Sequence, residues 1–237
     1  MEKLINNLNF TKKYLIMIKI NILLLLFATF ILYTSENATA QVVGFQFASP
    51  KTSGNELELK ASLVQAGLKV SPLERGPGLS ISSEGGLVRA FVALTKTPSV
   101  ASISDTTAAV ANDTYFKFDV KVDKSYKASF HNLNYKIRAS GGGAKVYYWK
   151  YSTDGETFKK LAEPVKIIPV GAEGQALPQV ELTGIKELQN IAEGTTISFR
   201  LYTNGSNTTT GTTAIGRSAN ATSNDYVLAI GGTVEKK

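Results

Sequence analysis

Few residues of this chain have the types and spacing that chemistry requires. His131 is the only histidine among 237 residues, and cysteine is absent. A Ser-His-Asp relay or a zinc site would have to be built around that one imidazole. It stands in Ser129-Phe-His-Asn-Leu133 beside a turn, with no nucleophile motif nearby. It reads as a structural histidine, hydrogen-bonded or facing solvent. The lack of cysteine removes thiol nucleophiles, Cys-ligated zinc and iron–sulfur clusters. No glycine-rich phosphate loop, His-Glu-x-x-His helix or EF-hand loop occurs, which leaves no motif for a nucleotide or a resident metal. Carboxylate pairs that cleave glycosidic bonds meet through the fold rather than through spacing, and a Glu-x-Asp-x-x-Glu arrangement is missing. A hydrolase or lyase therefore ranks behind a non-catalytic role, and no cofactor is expected.

Binding chemistry leaves a different trace. Tyr147-Tyr148-Trp149-Lys150-Tyr151 holds four aromatic rings in five positions. Such rings stack on the apolar faces of pyranoses, and amide and hydroxyl side chains bind the sugar hydroxyls. In a strand, parity places Tyr147, Trp149 and Tyr151 on one face and Tyr148 on the other. On a solvent face the three would form a platform about 13 Å long. On a core face they are packing residues, the favoured reading because aromatics are enriched in strands anyway. Tyr148 and Lys150 then face water, and Tyr148 is a lone stacking ring. A second candidate is the Asn/Thr/Ser/Gly-rich stretch 204–224, read as a long exposed loop. Asn204, Asn207, Thr210, Arg217, Asn220 and Asn224 offer donors and acceptors there, and loops on a rigid scaffold often carry binding residues. Asp225, next to that loop, is a candidate ligand for a structural calcium ion, although no dense acidic loop surrounds it.

The elements that must position these residues read as strands. Tyr115–Val122 alternates, with Tyr115, Lys117, Asp119 and Lys121 on one face and Phe116, Phe118, Val120 and Val122 on the other. Ala128–Ala139, Lys145–Tyr151 and Thr195–Thr203 continue in that style, and Asp154-Gly155 signals a hairpin turn. Val42–Phe47, Leu68–Val70, Leu79–Ile81, Leu87–Leu94, Phe158–Leu161, Val165–Val170 and Tyr226–Val234 are further strand-like runs. Thr97–Asn112 reads as a connecting loop, and Ile185–Ile191 as one helical turn. Many short strands with turn signals and little helix predict an all-β fold, an antiparallel β-sandwich of the jelly-roll type.

The N-terminus has a separate logic. Lys19, the apolar run Ile22–Leu32 and Ala38-Thr-Ala40 form the three parts of a secretory signal peptide, a signal helix cleaved before Gln41. The run is too short for the roughly 20 residues of a membrane-spanning helix. Met17 would start a leader of ordinary length. The expected domains are thus a leader over 1–40 and a single sandwich over 41–237. The mature chain keeps 22 Lys/Arg against 17 Asp/Glu. This excess is spread along the chain, so a nucleic-acid arm is not expected. It suits an acidic polysaccharide or a cell surface, or serves only to keep an exported domain soluble. No apolar stretch closes the C-terminus, so no membrane span is expected after cleavage. The expected location is secreted, extracellular or periplasmic. The residues set no oligomeric state.

The block Ala66-Gly-Leu-Lys-Val-Ser-Pro-Leu-Glu-Arg-Gly-Pro-Gly-Leu79 resembles Ala-Gly-Leu-x-x-Ser-x-Leu-x-Arg-Gly-x-Gly-Leu. That pattern recurs in secreted jelly-roll β-sandwich modules of Bacteroidetes and other environmental bacteria. Asn112–Phe118, Asn132–Arg138, Tyr147–Gly155 with its Ser-x-Asp-Gly end, Ile197–Tyr202 and Ala229–Val234 are similar to the strands that follow in those modules. The resemblance implies a carbohydrate-binding domain without catalytic activity, with a polysaccharide or glycan as partner. It carries no invariant binding residues to this chain. The alternative role is a structural or adhesive extracellular protein that binds protein partners.

Overall fold

Alternation translates directly into strands. The computed structural model describes residues 40–47, 52–82, 87–168, 174–221 and 225–237. The leader reading over residues 1–39, and Asn224, fall outside the described residues. The elements in chain order are β1 (Gln41–Phe45), β2 (Leu63–Val64), β3 (Leu68–Val70), β4 (Glu74–Arg75), β5 (Leu79–Ser80), β6 (Ala90–Thr95), α1 (Thr107–Ala111), β7 (Tyr115–Val122), β8 (Tyr126–Ala139), β9 (Val146–Ser152), β10 (Lys159–Lys160), β11 (Val165–Lys166), β12 (Gln175–Ala176), β13 (Val180–Glu181), a 3-10 turn (Lys186–Leu188), β14 (Thr196–Asn204), β15 (Thr212–Gly216) and β16 (Leu228–Lys236). Strand β7 has the bounds that its period-two pattern predicts.

The strands form two antiparallel sheets. One runs β2-β1-β16-β8-β15-β6-β5, with β12 and β13 also against β8. The other runs β10-β9-β14-β7-β3, with β11 against β9 and β4 against β7. The chain is an all-β antiparallel sandwich. Its first and last strands, β1 and β16, pair side by side, the kind of long-range closure expected of a jelly roll.

One apolar interior fills the space between the sheets. Phe118 stacks on Phe199 with ring centroids 5.3 Å apart and meets Phe45 edge-on at 5.4 Å. Trp149 stands edge-on to Tyr135 at 5.5 Å. Burying aromatic area of this size is the main favourable term in folding, and the edge and offset contacts add to it.

The Ala66–Leu79 block has a structural explanation. It carries the chain from one sheet to the other: β3 and β4 pair with β7, and β5 pairs with β6. Arg75 locks the crossing. Its guanidinium donates to the carbonyls of Val92 (2.5 Å), Glu56 (2.7 Å) and Gly54 (3.2 Å), and lies 3.8 Å from the Phe91 ring centroid. Burial pulls its pKa down to about 10. Gly78 packs so closely on β7's approach that a Cβ would meet the Asn112 carbonyl oxygen at 1.8 Å. Gly67 holds φ +93° under the Tyr126 ring, a conformation that favours glycine. The Ala66–Leu79 block is thus a clamp between sheets.

Two loop expectations are corrected. Residues 97–112 contain α1. The stretch 204–224 is not one loop, because Thr212–Gly216 pairs with both β6 and β8. Its Thr213 and Ile215 turn inward, but with Thr212, Ala214 and Gly216 beside them the pattern is too short and too mixed to announce a strand.

Candidate functional site

The outer face of the second sheet is built by register. Tyr148 pairs with Tyr202, and Tyr202 with Tyr115. One step along, Lys160 pairs with Lys150, Lys150 with Arg200, Arg200 with Lys117, and Lys117 with Glu74. Beyond that row lie Ser152, Ser198 and Asp119. Directly paired residues share a face. The sheet therefore carries a row of three tyrosines, a row of four cations ended by Glu74, and a row of hydroxyls ended by Asp119.

The tyrosine row is closed. Tyr148 stacks on Tyr202 at 5.2 Å with 10° between the rings, and Tyr115 meets Tyr202 edge-on at 5.2 Å. Ala109 of α1 packs with the three in one buried cluster. The Tyr148 hydroxyl donates to the Thr106 carbonyl at 3.0 Å. Burial pushes its pKa up to about 12 and raises that of Tyr115.

The cation row is only partly covered, with Lys160 exposed and Lys150, Arg200 and Lys117 half-buried, and Arg200 is its centre. Its guanidinium carbon lies 3.7 Å from the Phe158 ring centroid and 4.2 Å from that of Tyr115. Among the described residues its side chain makes one hydrogen bond, Nη1 donating to the Tyr202 hydroxyl at 3.3 Å. Four of its five N–H groups are thus left for another partner. Neither Arg200 nor Lys150 pairs with a carboxylate of the described residues. Lys117 pairs with Glu74 at 3.0 Å and Lys160 with Glu163 at 2.5 Å, both at exposed side chains. Lys150 Nζ stands 5.5 Å from the Tyr202 ring centroid.

The hairpin turn that sequence reading finds at Asp154-Gly155 sets this geometry. Asp154 Oδ1 accepts from the Ser152 hydroxyl (2.6 Å), the Thr157 amide (2.8 Å) and the Glu156 amide (2.9 Å). Those donors hold the Asp154 carboxyl well below the usual range. Gly155 adopts φ +79°. The turn brings Phe158 over Arg200 and seats Lys160 opposite Lys150.

The aromatic candidates lie elsewhere than on a platform. Tyr147, Trp149 and Tyr151 face the interior at 0%, 1% and 4% exposure. The core reading of that face is the one the structure has. Tyr148 points to the outer face as parity requires, yet α1 and its flanks cover it to 2% exposure. The expectation that Tyr148 faces water is therefore corrected: a segment with no periodicity of its own folds back over it. Tyr147 donates its hydroxyl to the Ala144 carbonyl at 2.9 Å, as a buried phenol must.

The loop candidates are separated. Asn204 is 1% exposed; its amide donates to the Asp105 carbonyl at 3.2 Å and its oxygen accepts from Ser99 Oγ at 2.8 Å, fastening the cover over the tyrosine row. Asn207 is exposed beside the Gly142 turn. Arg217 and Asn220 lie at the other end of β15, lining an open pocket of about 400 Å³ with Lys136, Gly174, Ala176, Ser218 and Ala221. Arg217 is 2% exposed, and its Nη1 donates to Asp225 at 3.2 Å. Asp225 also pairs with Lys136. Arg217 and Lys136 thus both engage that carboxylate. Among the described residues, no three His, Cys, Asp or Glu gather at metal-binding distance. No described helix is long and apolar enough to cross a membrane.

Sequence reasoning did not single out Arg200, Lys160 and Phe158, and it turned Lys150 to water without giving it a role. Alternation of β7 and β14 did place Lys117 and Arg200 on polar faces. Which strands are neighbours, and in what register, was the missing information.

No protein-family model matches the chain, and no curated protein matches it. Solved structures give weak likenesses. One is the C-terminal domain of a chitobiase from Bacteroides fragilis, at 12% identity and TM-score 0.33, covering 78% of this chain and 99% of that one. Another is TmCBM61 in complex with beta-1,4-galactotriose, at 8% identity and TM-score 0.28, covering 84% and 100%. A CBM4 structure gives 10% identity and TM-score 0.26, covering 72% and 95%. These neighbours are carbohydrate-binding modules and a chitobiase domain. Their scores are too low for any ligand or role to be carried over from them.

Proposed function

We propose that this chain is an exported, non-catalytic module that binds carbohydrate through the outer face of β10, β9, β14, β7 and β4. The observation that carries the reading is Arg200, half-buried between two aromatic rings at the centre of the outer face with most of its donors uncommitted. A face built on paired strands holds its groups rigidly, and a preorganised site loses little freedom on binding. It is open rather than a deep pocket, which suits a polymer lying across it. Ser198 adds a hydroxyl beside the cations, and the half-buried Phe158 adds an apolar ring. The resemblance of the Ala66–Leu79 block to secreted sugar-binding modules supports the same reading. Of the carboxylates near the face, Asp154 caps its turn and Glu74 pairs with Lys117, which leaves Asp119 as a lone carboxylate one row from the cations rather than one of the pair that glycoside cleavage uses. This favours binding over bond cleavage.

The test is affinity electrophoresis of the purified protein through gels containing individual polysaccharides, with Arg200→Ala run beside it. Retardation by at least one polysaccharide, lost in the variant, is the expected result. A folded protein that no polysaccharide retards would overturn the reading in favour of a structural or adhesive role.

A further inference from the structure

We infer that the ligand of this face is an acidic polysaccharide, bearing carboxylate or sulfate groups, that lies across the strands along the cation row. The inference rests on the carbohydrate reading above and deepens it. Lys160, Lys150, Arg200 and Lys117 occupy one row on four adjacent strands. Like charges directly opposite one another destabilise a sheet. Here three such contacts occur in succession, and carboxylates reach only the two ends. The interior pair, Lys150 and Arg200, faces the same direction with no counter-charge among the described residues.

Geometry makes the row specific. Strands lie about 4.8 Å apart, so the four cations span about 14 Å, roughly the length of three pyranose rings in an extended chain. A polymer with one acidic group per ring or two then meets the cations in step. Arg200 supplies the directional contact. Rings on its guanidinium fix the plane, and a planar fork binds carboxylate or sulfate through two parallel N–H donors. Phe158 and Tyr115 act as positioning residues for that fork. The lysines act as point charges on either side. Asp119, one row away, bars anions from spreading down the sheet and keeps the track narrow.

The same row would attract any polyanion through charge alone, so the test must separate ring recognition from simple attraction. Isothermal titration of the purified protein is run against polygalacturonate and its fully methyl-esterified form, against dextran sulfate and dextran, and against single-stranded poly(dT). The expected result is saturable binding of polygalacturonate or dextran sulfate, at least about tenfold tighter than the neutral counterpart and than poly(dT), and weakened by salt. Whichever polymer binds separates carboxylate from sulfate. Arg200→Ala and Arg200→Lys should each weaken binding about tenfold, because the second keeps the charge and loses the fork. Lys150→Gln should weaken it severalfold with an unchanged or raised Tm, which keeps the test valid should Arg200 variants fold poorly. Equal, salt-insensitive binding of neutral and acidic polymers overturns the charge inference and leaves the carbohydrate reading standing. Poly(dT) binding as tightly as the acidic glycans also overturns it. Failure of every polysaccharide overturns both.

Discussion

Strands β9, β14 and β7 present two faces made of similar residue types, and the two serve opposite ends. On the inner face Tyr147, Trp149, Phe199 and Phe118 are sealed between the sheets, where their value is apolar area removed from water. On the outer face Tyr148, Tyr202 and Tyr115 are sealed as well, but only by a short helix and its flanks, and the next row, Lys150, Arg200 and Lys117, is half-buried and partly open to solvent. The two arginines sharpen the contrast. Arg75 and Arg200 both lie against aromatic rings, at 3.8 Å and 3.7 Å. Arg75 commits its donors to four carbonyls of its own chain, and Arg200 keeps nearly all of its donors. An arginine whose donors are consumed internally holds a fold together. One with fixed plane and spare donors is prepared for something else.

That contrast can be broken by measurement. The largest effect should come from the inner face: Trp149→Ala should destabilise the protein by about 3–5 kcal/mol in chemical denaturation, since the emptied space cannot collapse between paired strands. A loss under about 1 kcal/mol would mean that the ring is not part of the core. The arginine pair should then diverge. Arg75→Ala should cost about 2–3 kcal/mol by stranding buried carbonyls, whereas Arg200→Ala should cost less than about 1 kcal/mol because its contacts are at the surface. Equal losses would erase the distinction between clamp and binding group.

The smallest effect should appear in alkali. Burial raises the pKa of Tyr148 to about 12, and those of Tyr115, Tyr135, Tyr147 and Tyr151 move the same way. Below about pH 10 these phenols are neutral in both states and their contribution to stability is intact. As pH rises through that value the unfolded chain loses protons first, so stability should fall between about pH 10 and 12. Denaturation midpoints across that window check the fall, and Tyr148→Phe should make it shallower. A midpoint flat through pH 12 would show the outer tyrosines to be open to water.

Much of the inner architecture is legible in the sequence alone. Period-two alternation in Tyr115–Val122 is decided by the pleat, which sends successive side chains to opposite faces. For that reason the strand, its two faces and the all-β class can be read directly. The turn at Asp154-Gly155 is legible too, because a short side chain and a glycine solve a local problem that involves no distant residue. The parity of Tyr147–Tyr151 follows from the same pleat, but which face lies inside does not.

What tertiary structure alone decided is everything that depends on which strands lie side by side. Lys117, Arg200 and the hairpin that carries Lys150 and Lys160 are far apart in sequence, and only pairing of β9, β14 and β7 lines them up. The burial of Tyr148 depends on residues 106–109 folding back over it, and the division of 204–224 depends on β6 and β8 accepting β15 between them. Local pattern is written in neighbouring residues because the backbone repeats every two. Register between strands is set by the summed fit of a whole interior, and no short stretch of chain contains that sum.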